Sequence, residues 1–130
     1  MRLNISQMGI KMDKNIIFEQ IKKDYPDTRW VSSTCIQINF MDFMLDPYNF
    51  AFVCLLFEGD KMILTDFADN EEVFEFPIEK YKEICSKHNI TWNDYHFECI
   101  YNSNDDIKRY KECLEELAEY NFKLKYPQYL

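Results

Sequence analysis

Phe50-Ala51-Phe52-Val53-Cys54-Leu55-Leu56-Phe57-Glu58-Gly59-Asp60-Lys61-Met62-Ile63-Leu64-Thr65-Asp66 is the stretch that decides the fold. The run Phe50–Phe57 is too short for a membrane span, which needs about 18 apolar residues. It has the length of a strand covered on both faces, and so of a central strand. Glu58-Gly59-Asp60 reads as a tight turn, and Lys61–Asp66 as the returning strand. Upstream, Ile36, Ile38 and Phe40 alternate with Cys35, Gln37 and Asn39. That period of two predicts a half-buried strand within Arg29–Met41. Asp46-Pro47-Tyr48-Asn49 is a turn cluster between the two. The expectation is a three-strand antiparallel meander.

Helical signals flank the meander. Asp13 suits an N-cap, Ile17, Ile21 and Tyr25 recur at helical spacing, and Pro26 ends the pattern, which predicts a helix over 14–24. Pro77 suits a first helical turn. Ile78, Tyr81, Ile84, Cys85 and His88 then mark one face of a helix over 78–88, closed by Asn89. Ile90–Trp92 and His96–Tyr101 read as a small hairpin turning at Asn93-Asp94. Ser103 with Asp106 forms a capping box. Ile107, Tyr110, Leu114 and Leu117 make the apolar stripe of a last helix over 104–124. Residues 66–75 alternate between acidic and apolar with no clear period, as a short helix or a loop would. The order predicts an α+β domain over 13–130, an antiparallel sheet packed by N-terminal, middle and long C-terminal helices, preceded by a loose tail over 1–12.

The net charge is −8, and its distribution is uneven. Residues 42–75 hold nine acids against one base, Lys61, which leaves 14 acids and 14 bases elsewhere. A field of this sign repels nucleic-acid phosphate and attracts basic surfaces, so direct nucleic-acid binding, which needs clustered Lys and Arg, is not expected. The chain starts with no charged segment followed by an apolar one, so no signal peptide is expected. The five Cys are odd in number, lack a CxxC pair and sit mostly among apolar residues. Buried thiols and a reducing cytoplasm follow, with no disulfide framework.

Gly59-Asp60-Lys61-Met62-Ile63-Leu64-Thr65-Asp66 resembles the strand-turn-strand element of a bacterial and phage family, domain of unknown function 1828. Lys87-His88-Asn89-Ile90 stands where that family turns into a hairpin, and Ser103–Tyr120 looks like its closing helix. The resemblance covers about residues 33–122. It implies this fold and a phage or mobile-element setting, without naming a catalytic residue.

Catalytic signals are sparse. Cys85-x-x-His88 and His96-x-x-Cys99 look zinc-like in order. On a strand, however, His96 and Cys99 point to opposite faces, so no metal site is assigned. Asp66, Asp69, Glu71 and Glu72 follow a strand end, a common place for metal ligands or a general base. They carry the alternative reading, a metal-dependent enzyme. The Cys and His residues form no local nucleophile signature, and Gly59 alone cannot cradle phosphate. No catalytic residue and no cofactor is assigned.

The leading expectation is a small non-catalytic protein-binding module with a basic protein partner. In a phage or mobile-element setting it would inhibit a nucleic-acid-handling defence protein. Its partner-binding face is expected to comprise Asp42, Phe43, Asp46, Tyr48 and Asp60 on the first half, and Asp66, Phe67, Asp69, Glu71 and Glu72 on the second. Aromatics enter because interface hot spots favour them. A structural homodimer pairing through an edge strand is the third reading.

Overall fold

A computed structural model describes residues 13–46, 49–66, 77–93 and 96–129. The expectations for the tail over 1–12, for the turn at Pro47-Tyr48, for 67–76 and for Asp94 lie outside those residues. The elements run α1 (Lys14–Asp24), β1 (Thr28–Ser32), β2 (Cys35–Asp46), β3 (Asn49–Glu58), β4 (Lys61–Thr65), α2 (Ile78–Lys87), β5 (Thr91–Asn93), β6 (His96–Ile100) and α3 (Asn104–Lys125), then a 3-10 turn at Pro127–Tyr129. Among the described residues, six strands join one antiparallel sheet in the order β1-β2-β3-β4-β6-β5. The class is α+β, as the order of elements predicts. Among the described residues, no helix is long and apolar enough to cross a membrane.

The strand expected within Arg29–Met41 is two strands. β1 and β2 meet at Ser33-Thr34, with Trp30 opposite Ile36, Ser32 opposite Cys35, and a bulge at Val31 between them. The turn contains no Gly, Pro, Asn or Asp. It closes on a hydroxyl instead: the Thr34 N–H donates to Ser32 Oγ at 3.2 Å, a serine-threonine turn. β2 also runs past Met41 to Asp46, with a register shift between Phe40 and Met44. β3 pairs with strands on both sides, the central position that its two apolar faces require.

Alternation along the strands sorts the sheet into two faces. The cross-strand row Ile36, Leu55, Leu64, Cys99 faces the helices. Ile17 and Ile21 of α1, Tyr81 and Ile84 of α2, and Ile107, Tyr110, Leu114 and Leu117 of α3 close over it in one apolar cluster. The row Cys35, Leu56, Ile63, Ile100 lies on the opposite face. Burying a Leu, Ile or Phe side chain is worth about 1.5–3 kcal/mol, whereas an exposed ion pair contributes about 0–1 kcal/mol. The sheet–helix cluster therefore contributes more to holding the fold together than the surface ion pairs do.

Tyr110 ties the layers with a polar link. Its hydroxyl donates to the Phe97 carbonyl at 3.2 Å and accepts from the Asp66 N–H at 3.1 Å. That joins α3 to the end of β4 and to β6.

Candidate functional site

Of the ten residues expected on one acidic face, four have described side chains: Asp42, Phe43, Asp60 and Asp66. Asp42, in β2, is exposed, yet its carboxylate is taken up by Lys111 of α3 at 2.8 Å. That bond holds the Asp42 carboxyl below its usual range. Phe43 is partly buried and packs against the core, so it is not a free anchor. Its strand continues past the expected end, which turns the ring inward. Asp60 is exposed in the β3–β4 turn, at the other end of the sheet from Asp42. Seven residue steps along β3 separate Ala51 from Glu58, roughly 24 Å of strand. Asp66 is 0% exposed and is removed from the surface altogether. Tyr48, Phe67, Asp69, Glu71 and Glu72, and the side chain of Asp46, lie outside the described residues.

A different set of carboxylates does converge. Asp24 ends α1, Asp42 lies on β2, and Asp105 and Glu112 stand on α3. All four act on Tyr25, whose phenol is raised first by burial and then by these four charges. The Tyr25 ring stands edge-on to Phe40 at 5.8 Å. Asn104 locks the arrangement from α3. Its amide donates to the Gln20 carbonyl at 2.9 Å and to Asp24 Oδ2 at 2.7 Å, and its own oxygen accepts from the Tyr101 hydroxyl at 2.9 Å. Burial, reinforced by the charges of Asp106 and Asp24, pushes the Tyr101 phenol up to about 12. Both tyrosines therefore stay neutral at this acidic end.

An open cleft of about 410 Å³ lies beside this cluster. Gln20, Lys23 and Asp24 line it from α1, Tyr101 and Ser103 from the β6–α3 connection, and Asp105 from the first turn of α3. Its walls are polar and carry the carboxylates of Asp24 and Asp105 beside the ammonium of Lys23.

Of these residues only Asp42 belonged to the expected face. Asp24, Asp105 and Glu112 are scattered over 89 positions of chain counted from Asp24 to Glu112. Only the packing of α1 against α3, and of α3 across β2, brings them together. The zinc-like order dissolves for a related reason. Cys85 meets Cys113 and the His88 ring meets Glu116. Among the described residues, no group of three His, Cys, Asp or Glu is placed to hold a metal ion.

No protein-family model matches the chain, and neither a curated protein nor a solved structure does.

Proposed function

We propose that this chain is a non-catalytic module that binds a basic protein through the end of the sheet where Asp24, Asp42, Asp105 and Glu112 meet. What supports it is that Asp24 and Asp105 line one cleft, and that Asp24, Asp42, Asp105 and Glu112, from three elements, all raise the Tyr25 phenol. Charge of one sign concentrated on one region steers an oppositely charged partner and raises its association rate. The adjacent cleft, with Asp24 and Asp105 on its walls, is suited to a Lys or Arg side chain of that partner. Proteins that handle nucleic acid carry such basic surfaces. Occupying one of them would make this module an inhibitor, the role expected in a phage or mobile-element setting.

The test compares two variants of equal net charge. Asp24→Lys with Glu112→Lys reverses the proposed surface, and Glu58→Lys with Asp60→Lys reverses the far turn. Each changes the net charge from −8 to −4. Tagged protein is used to capture partners from a bacterial lysate at low and high salt, and the retained protein is then measured for association rate. A basic protein held by wild type and by the far-turn variant, but lost by the first variant, supports the assignment. Equal loss from both variants means that net charge alone matters and that this surface is not the binding face.

A further inference from the structure

Cys85 of α2 and Cys113 of α3 bring their sulfurs to 4.0 Å, and each residue is 1% exposed. Polar clamps hold the contact from both sides. Within α3, Arg109, Cys113 and Glu116 stand at i, i+4 and i+7 and so share a face. Arg109 donates to the backbone carbonyls of His88 and Asn89 at the end of α2. Glu116 accepts from Lys87 at 2.6 Å and meets His88 Nε2 at 2.9 Å. The two helices are thereby pinned in register with the thiols between the pins. A disulfide bond is about 2.05 Å long. The sulfurs, already in contact, must therefore close by roughly 2 Å.

We propose that Cys85 and Cys113 form a reversible oxidation site, closing to a disulfide that ties α2 to α3 when the protein meets hydrogen peroxide. One thiol loses its proton and its sulfur attacks a peroxide oxygen. The O–O bond breaks, a sulfenic acid forms and the first water leaves. The sulfur of the second thiol then attacks the sulfenic sulfur. The S–S bond forms, the S–O bond breaks, and the hydroxyl departs with the second thiol's proton as another water. Two thiols have lost two hydrogens, and one peroxide has become two waters. Because the second thiol is held in contact, its effective concentration is high, and capture outruns further oxidation of the sulfenic acid. Peroxide gains access through local opening of the α2–α3 contact, so the reaction is slow beside that of an exposed thiol.

The full chain is exposed to hydrogen peroxide under native conditions, quenched, denatured, alkylated and weighed, and its peptides are mapped. The expected product is lighter by two hydrogens, with three of its five cysteines alkylated and one linked peptide pair containing Cys85 and Cys113. Reductant restores all five free thiols. The linked form melts roughly 10 °C higher. Cys85→Ala and Cys113→Ala each abolish both the link and the rise. Five alkylated thiols after treatment of the folded wild type would overturn the proposal. So would a link that maps to Cys35 and Cys54, or one that forms only after unfolding in urea.

Discussion

At the scale of single residues, the Asp106 carboxylate accepts three hydrogen bonds. One oxygen accepts from the N–H groups of Asn102 and Ser103 at 2.7 and 3.1 Å, and the other from Arg109 at 2.9 Å. Burial pushes this carboxyl up, but Arg109 and the two backbone N–H groups outweigh it, and the net direction is down. A carboxyl that titrates lower in the folded than in the unfolded chain stabilises the fold fully above the unfolded value, about 3.9. The contribution disappears as pH falls through the folded value. Asp106→Asn should therefore lower stability by about 1 kcal/mol at neutral pH. Urea midpoints of the two proteins should draw together as the medium is acidified below about pH 4. A gap that stays constant down to strong acid would place the loss in packing and not in the charge.

At the scale of elements, helix ends are written locally and strand order is not. The end of α2 is the clearest case. Asn89 adopts a left-handed φ of 55°. Its N–H donates to Ser86, and the N–H of Ile90 reaches back to the Cys85 carbonyl at 2.9 Å, the two bonds of a Schellman motif. Asn tolerates this conformation, Gly prefers it, and a β-branched residue is strained by about 1–2 kcal/mol. Thermal melts should therefore rank Asn89→Gly at or slightly above wild type, by about 0.5 kcal/mol, and Asn89→Val well below. A valine that melts with wild type would mean that the turn relaxes without loss.

The same locality explains what was legible. Asp13 and Pro26 bracket α1 to the residue, and the Ser103–Asp106 box starts α3 where its sequence says. The β1–β2 turn escaped because Ser32 and Thr34 do with a hydroxyl what Gly or Asn usually does with backbone freedom. The candidate site was less legible still. Asp66 looks like a surface acid after a strand, but it lies under α3, where Tyr110 holds its N–H. Asp24, Asp105 and Glu112 look like ordinary solvated helix charges until α1 and α3 are docked on the sheet.

At the scale of the whole molecule, the acidic end has an energetic signature that does not depend on identifying a partner. Like charges drawn together around Tyr25 repel, and salt screens that repulsion over a Debye length of about 10 Å at 0.1 M. Opposing this are the ion pairs Lys87–Glu116, Lys111–Asp42 and Lys123–Glu119, which salt weakens. They are surface pairs worth about 0–1 kcal/mol each, whereas the excess charge of −8, which residues 42–75 carry, has no counterpart within the chain. Repulsion should dominate, so the melting temperature of the wild type should rise with added sodium chloride. Glu112→Lys removes one of the four charges acting on Tyr25 and should melt roughly 2 °C above wild type at low salt. The difference should close as salt reaches roughly 0.5 M, where screening is nearly complete at these separations. A wild-type melting temperature that falls with salt would mean that the ion pairs outweigh the clustered acids. The acidic end would then be balanced internally, with little field left to steer a basic partner. A rise that Glu112→Lys abolishes would show instead that the fold carries this charge at the expense of its own stability. Such a sacrifice of stability is what a surface kept for binding or solubility predicts, and the capture experiment with the paired charge reversals separates those two.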